Sequence, residues 1–109
     1  MNSTNTTSKK QYVARTIKYQ DFTLVNICDE ELLGTTVKGG QVDMPISRDY
    51  FGGDKVSENE AIELVRASSI INLAGKRIVE KVLEEKLASR LAVKDIGNVS
   101  FLMIYKFTN

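Results

Sequence analysis

Residues 76–107, KRIVEKVLEEKLASRLAVKDIGNVSFLMIYKF, contain the two patterns that decide the fold. In the first half of this stretch, apolar residues recur with the period of an α-helix, and charged residues occupy the opposite side. The apolar positions are Ile78, Val79, Val82, Leu83 and Leu87. This pattern predicts an amphipathic helix that rests on a sheet.

The end of the same stretch predicts a strand. Gly97-Asn98 indicates a turn. The residues that follow, Val99 to Phe107, are almost wholly apolar and include aromatic and β-branched members. Because such a composition is typical of a strand buried on both faces, we expect a final strand in the centre of the core.

A second helix is predicted upstream, over about residues 58–68. Ser57 followed by Glu60 has the spacing of a capping box, in which each residue satisfies a backbone N–H of the first helical turn. Behind it, Ala61 and Val65 fall on one helical face.

Two β-hairpins are predicted in the first half of the chain. The β-rich runs 12–19 and 22–27 flank Gln20-Asp21, a candidate two-residue turn. This arrangement predicts an antiparallel pair of strands.

The second hairpin has runs 35–38 and 41–46 on either side of Gly39-Gly40. Two glycines supply the positive φ angles that a tight hairpin turn requires. Pro45 has no N–H for a strand ladder, so we expect it at an edge or at a strand end.

Together these elements predict one α+β domain over residues 11–109. We expect a mostly antiparallel sheet of about four to five strands, with two helices packed on one face. Residues 1–10 are polar and basic with nothing to bury, so we expect a disordered tail.

The composition limits the chemistry that the chain can perform. There is no histidine, and Cys28 is the single cysteine. Cys/His zinc sites and histidine-activated nucleophiles are therefore excluded, and the side chain that most often acts as a general base near neutral pH is missing. We expect a binding protein rather than an enzyme, with no metal and no cofactor. The lone cysteine and the lack of a signal peptide or a long apolar run predict a cytoplasmic protein without a membrane partner.

The charges are segregated along the chain. Both the stretch from Lys9 to Lys18 and the stretch from Lys76 to Lys94 are basic, and the middle, residues 29–63, is acidic. If the basic stretches converge in space, they form one positive surface suited to nucleic acid; otherwise they are ordinary solvated charges. The predicted phosphate-binding residues are Lys9, Lys10, Arg15, Lys18, Lys76, Arg77, Lys81 and Arg90.

The start of the long helix is the most specific candidate for phosphate binding. Asn72 is a natural N-cap, Gly75 allows close approach, and Lys76 and Arg77 add positive charge where free N–H groups already favour an anion. The structural alternative is that Gly75 permits tight packing and that Lys76 pairs with Glu80.

A candidate for base stacking is the aromatic pair Tyr50 and Phe51. The pair precedes two glycines and lies between Arg48 and Lys55, so its rings can be presented to a nucleic-acid base. The structural alternative is that these rings fill the core beside a loop.

Residues Asp29 to Gly34 have a mainly structural interpretation. Asp29 suits an N-cap, Glu30 and Glu31 suit the positive end of a single helical turn, and Gly34 suits its closing position. A cation or acid/base site is the alternative, but the sequence shows no second acidic cluster to complete one.

Three segments resemble the signature positions of a small archaeal family, the domain of unknown function numbered four-two-four. They are CDEELLG at 28–34, DYFGG at 49–53 and NLAG at 72–75, and the resemblance covers roughly residues 12–99. The resemblance implies an RNA-binding protein associated with translation and implies no activity.

We therefore expect an RNA-binding accessory protein of the archaeal translation machinery, with the ribosome or another RNA as partner. The alternative is a protein-interaction module that binds a basic partner through the acidic middle segment.

Overall fold

The described part of the chain, residues 9–107 of this computed structural model, contains eight strands and three helices. The strands are β1 (Lys10–Lys18), β2 (Thr23–Asp29), β3 (Thr36–Gly39), β4 (Val42–Pro45), β5 (Asp54–Ser57), β6 (Ile70–Ala74), β7 (Lys94–Ile96) and β8 (Val99–Tyr105). The helices are α1 (Arg48–Phe51), α2 (Glu58–Ala67) and α3 (Lys76–Glu84). Of the predicted tail, residues 1–8 lie outside the described residues, and β1 already begins at Lys10.

The main sheet has six strands in the order β5-β1-β2-β6-β8-β7. All neighbours are antiparallel except β2 and β6, which run parallel. The chain reaches β6 through α2, which crosses over from the edge strand β5. The α+β class is confirmed, but four to five strands is too low a number. The strands that were missed, β5, β6 and β7, have only three to five residues each, too few to show a period in the sequence.

Both predicted hairpins are present. β1 and β2 pair around Gln20-Asp21, where the Tyr19 N–H donates to the Phe22 carbonyl oxygen at 2.8 Å. β3 and β4 pair with each other in a separate two-stranded sheet, and Pro45 ends β4 as predicted.

The two long helices cover one face of the main sheet, as predicted. Side chains from α2 and α3 pack there against alternate residues of the strands, forming the larger hydrophobic core. The fully buried members of this core include Val25 and Ile27 of β2, Ile71 of β6, and Ile78 and Val82 of α3. The capping box of α2 is confirmed by reciprocal hydrogen bonds between Ser57 and Glu60.

The opposite face is only half covered. At one end, Val37, Ile46 and Phe51 pack on Val13 and Cys28 in a second, smaller core. The other end of this face carries no helix or strand from the described residues. The architecture therefore leaves part of a sheet surface accessible.

The last strand, β8, is not buried on both faces as predicted, because one side of it lies on this half-covered face. β8 lies inside the sheet, and Leu102 is buried under the helices, but Met103 and Tyr105 are exposed on the half-covered face. Both sides of this strand are apolar in the sequence, so composition alone does not reveal which side meets solvent.

The start of α3 also differs from its prediction. Asn72 is not an N-cap but lies within β6, aligned with Asn26 of β2 and Met103 of β8. Gly75 precedes α3 instead, with a φ of 127°. Pairing with strands on both sides outweighs the capping preference of Asn72, a preference of only about 1 kcal/mol.

We predict that Gly75→Ala destabilises the protein by about 3 kcal/mol or more. A Cβ at this position would lie 2.3 Å from Asp29 Cγ, and the positive φ is unfavourable for alanine. Urea unfolding measures the loss of free energy. Gly40→Ala is the matched control, because Gly40 also has a positive φ but nothing within 4 Å of the added Cβ, so we expect a loss of about 1 kcal/mol there. Equal losses in the two variants would contradict the close approach of Asp29.

Candidate nucleic-acid interface

The N-terminus of α3 is capped by a side chain from strand β2. Asp29, at the end of β2, accepts hydrogen bonds from the backbone N–H groups of Arg77 at 3.0 Å and Ile78 at 2.9 Å. Its side chain is buried, and Gly75 leaves the space that it occupies. The prediction of free N–H groups for a phosphate at this helix end is therefore wrong, since a carboxylate of the chain already binds there.

The Arg77 side chain also makes contacts that stabilise the start of α3. Its guanidinium forms an ion pair with Glu31, donates to Gln11 Oε1 at 2.8 Å and lies 5.1 Å from the centre of the Tyr12 ring. These contacts tie α3 to β1 and to the turn after β2. They also explain the acidic motif, because Asp29 and Glu31 each have a partner at α3.

Glu30, the third acid of this motif, pairs with Lys55 of β5 at 2.8 Å. The single turn predicted after Asp29 is present as a 3-10 turn, Glu30–Leu32, but Asp29 does not cap it with its side chain. Within the described range, no three His, Cys, Asp or Glu side chains are close enough together to hold a metal ion.

Burial raises the pKa values of two neighbouring groups. The pKa of Asp29 is raised by desolvation, which the hydrogen bonds from the two backbone N–H groups and the Arg77 charge offset only in part. Desolvation and the charge of Asp29 raise the pKa of Cys28 to about 12. Cys28 is buried and remains a thiol near neutral pH, so it is not positioned as a nucleophile.

Other predicted phosphate-binding residues already pair with carboxylates. Lys10 contacts Glu60 at 2.8 Å, and Arg90 contacts Glu80 at 2.7 Å. Arg77, Lys81 and Arg90 do come together, in a groove of about 800 Å³ along α3. However, Glu58, Glu80 and Glu84 line the same groove and balance their charge.

The remaining predicted cations, Lys9, Arg15, Lys18 and Lys76, are exposed, and none has a carboxylate within 4.0 Å among residues 9–107. They do not share one surface. Arg15 lies on the half-covered face of the sheet, whereas Lys76 begins α3 on the other side. A single positive surface built from all the predicted residues is therefore not formed by this fold.

The uncovered part of the sheet carries a different set of side chains. We call this surface the open face; two rows of aligned residues cross it from β1 through β2 and β6 to β8. They are Arg15, Asn26, Asn72 and Met103 in one row, and Ile17, Leu24, Ile70 and Tyr105 in the next.

Aromatic rings surround the open face. Tyr50 of α1 is 50% exposed beside the first row, and Tyr105 is 62% exposed at the end of the second. Beyond the second row, Tyr19 stacks on Phe22 with ring centres 4.6 Å apart, and Phe22 meets the exposed Phe107 edge-on at 5.4 Å. The surface therefore offers several accessible rings within one sheet face.

The two aromatic residues predicted for stacking differ in exposure. Tyr50 is accessible, but Phe51 is only 6% exposed and packs in the smaller core, so its ring is not available to a base. Tyr105 and Phe107 were missed, because the C-terminal strand was interpreted as core on both sides. The alternate spacing of Met103, Tyr105 and Phe107 is the signal that could have indicated one exposed side.

The charge of this side of the sheet is also distinctive. From Val13 onward, the strand positions that face it include Arg15 of β1 and Lys94 of β7 but no aspartate or glutamate. Lys94 lines an apolar groove of about 570 Å³ together with Tyr50, Asn72 and Met103.

Comparisons with known proteins agree with this fold. Residues 17–107 match the family described as "Protein of unknown function (DUF424)". The chain belongs to this family. A solved member of the same fold, described as an uncharacterized conserved protein from Methanopyrus kandleri, aligns with a TM-score of 0.75 and 20% sequence identity, over 90% of this chain and 93% of that one. No curated protein matches the chain. The expected family resemblance is confirmed, and the match to the solved structure supports the fold alone.

We predict that Asp29 makes the stability of the protein depend on pH in a defined direction. Its folded pKa lies above the ordinary value of 3.8, so its favourable contribution is fully present below that value and is lost as the pH rises through the folded pKa. We therefore expect the stability of the wild type relative to Asp29→Asn to decrease as the pH is raised from about 4 upward. Urea unfolding of both proteins over this range measures the difference.

Asp49→Asn, which removes an exposed carboxylate from α1, controls for the loss of one charge. An advantage of the wild type over Asp29→Asn that grows with pH would contradict the raised pKa.

Proposed function

We propose that the protein binds single-stranded RNA on the open face of its sheet. Bases stack on the exposed rings, and phosphates contact Arg15 and Lys94. The observation that carries this proposal is a sheet surface with accessible aromatic side chains and cations, on which the strands place no carboxylate.

Accessible rings on a flat sheet favour single strands over duplexes. In a duplex the base faces are already stacked, whereas bases of a single strand are free to stack on aromatic side chains. The four strands between Arg15 and Met103 span about 14 Å, since neighbouring strands lie about 4.8 Å apart. Sheets of this width in other RNA-binding folds stack two or three bases.

Charge complementarity supports the same face. A phosphate near Arg15 or Lys94 meets no opposing carboxylate from the strands, whereas a phosphate in the groove along α3 meets Glu80 and Glu84. Among the predicted phosphate-binding residues, we therefore assign Arg15 the leading role.

The acidic middle segment has less support as a binding surface for a basic protein. Two of the glutamates on α2 that would form it, Glu58 and Glu60, take part in ion pairs with Lys81 and Lys10. A partner would have to displace these lysines. We therefore keep protein binding as an outcome of the tests below.

We also propose the setting expected from the family resemblance, an accessory role in archaeal translation within the cytoplasm and without catalytic activity. Among residues 9–107, no helix has the length and apolar character needed to span a bilayer.

We predict that Tyr105→Ala weakens binding of a fluorescein-labelled single-stranded RNA octamer by about fivefold or more, because one stacked base contributes about 1–3 kcal/mol. Fluorescence anisotropy at low salt measures the affinity. Val42→Ala is the control, since it shortens a 50% exposed apolar side chain on the β3–β4 hairpin, away from the open face. No measurable binding by the wild type, or equal affinity of Tyr105→Ala and wild type, would refute the proposal. Co-purification with a protein instead of RNA would favour the alternative.

We further predict that Arg15→Gln weakens this binding and reduces its salt dependence. Each phosphate contact on a single strand contributes about −0.7 to the slope of log K against log salt. Arg66→Gln is the matched control, because Arg66 is an exposed arginine on α2 that pairs with Glu85 on the helical side. Titrations at several salt concentrations determine both slopes, and identical slopes for the two variants would exclude Arg15 as a phosphate contact.

A further inference from the structure

We infer that Asn72 selects nucleobases that carry an exocyclic amino group, with its side-chain oxygen as the acceptor. This inference rests on the proposed function and deepens it, because it assigns base selectivity to one residue of the open face. It depends on a chain of hydrogen bonds whose direction is fixed by the backbone.

The direction of these hydrogen bonds is set at Tyr50. Its backbone carbonyl oxygen only accepts hydrogen bonds, so the atom of Asn26 that lies 2.9 Å away must be the amide nitrogen Nδ2. Asn26 therefore presents its oxygen, Oδ1, to the other side. That oxygen accepts from Nδ2 of Asn72 at 2.8 Å.

The orientation of the Asn72 amide follows. Its nitrogen faces Asn26 Oδ1 and also lies 3.4 Å from the hydroxyl oxygen of Tyr50. Rotating the amide would place two oxygens against each other and leave the buried Asn26 without its donor. Asn26 itself is only 1% exposed, so water does not readily replace that donor.

The Asn72 oxygen is then left as a free acceptor. No described residue donates a hydrogen bond to it, and within residues 9–107 the fully buried side-chain polar atom that lacks a partner is Ser68 Oγ. The Asn72 oxygen is therefore not fully buried. Asn72 lines the apolar groove beside Tyr50, Met103 and Lys94, so a base stacked near Tyr50 places its edge within reach of this oxygen.

An acceptor in this position distinguishes bases by their donors. Adenine and cytosine each carry an amino group on their pairing edge, and that group donates to an amide oxygen. The donor on the pairing edge of uracil is its ring N3–H, which lies between two carbonyl oxygens, and these oxygens would meet the Asn72 oxygen with like partial charge. The site therefore favours amino-bearing bases over uracil.

The decisive measurement uses labelled RNA octamers of adenosine, cytidine, uridine and purine riboside with the unmodified protein. Purine riboside stacks as adenosine does but lacks the amino group. We expect adenosine and cytidine octamers to bind about fivefold more tightly than the other two, the effect of one hydrogen bond. This comparison needs no variant, so it does not depend on the folding of a mutant.

A second measurement tests the residue itself. Asn72→Leu keeps the side-chain volume but removes both the acceptor and the donor to Asn26, and we expect it to bind adenosine and purine riboside octamers equally. Asn59→Leu, at an exposed position of α2, is the matched control and should keep the preference of the wild type.

The outcomes separate this inference from the proposed function. Equal binding of adenosine and purine riboside octamers by the wild type, or a preference that persists in Asn72→Leu, overturns the role of Asn72 and leaves RNA binding in place. Absence of binding to all four octamers overturns both.

Discussion

The hydrogen bonds from the first turn of α3 to Asp29 fix how the helical layer meets the sheet. Asp29 ends β2, and its buried carboxylate accepts the N–H groups of Arg77 and Ile78. This contact joins residues that are 48 and 49 positions apart, and it requires a glycine at position 75. Because this carboxylate already accepts both N–H groups and offsets the positive end of the helix, it occupies the position that an external anion would take. The helix start that the sequence predicted as a phosphate site is thus a contact that stabilises the fold.

The two sides of the sheet differ in packing and in charge. On the helical side, α2 and α3 bury the larger core, and the charges above it form pairs such as Arg90 with Glu80 and Lys10 with Glu60. Exposed pairs of this kind add little stability, but they leave this side without a strong field of one sign. On the other side, the strands carry apolar and aromatic residues with Arg15 and Lys94 and no carboxylate. This asymmetry is the physical basis for placing RNA on the open face.

The asparagine pair in the middle of the sheet links the fold to the proposed site. Burying the amide of Asn26 is costly unless its donors and acceptors are satisfied, and Tyr50 and Asn72 satisfy them from two different elements. The same bonds hold α1 over the sheet and fix the amide of Asn72 in one orientation. A polar contact that stabilises the fold therefore also leaves one oriented acceptor at the edge of the open face.

The sequence by itself determined the elements whose signals are local: the capping box at Ser57, the two hairpins and the amphipathic α3, each set by residues within a few positions of one another. The family resemblance expected from the sequence is also confirmed. Only the tertiary structure decided that Asp29 caps α3 and that Asn72 is a strand residue, because both outcomes depend on partners almost fifty residues away. The exposure of Tyr105 was likewise a tertiary result. Both sides of β8 are apolar, and which side meets solvent depends on where the helices and the β3–β4 hairpin pack.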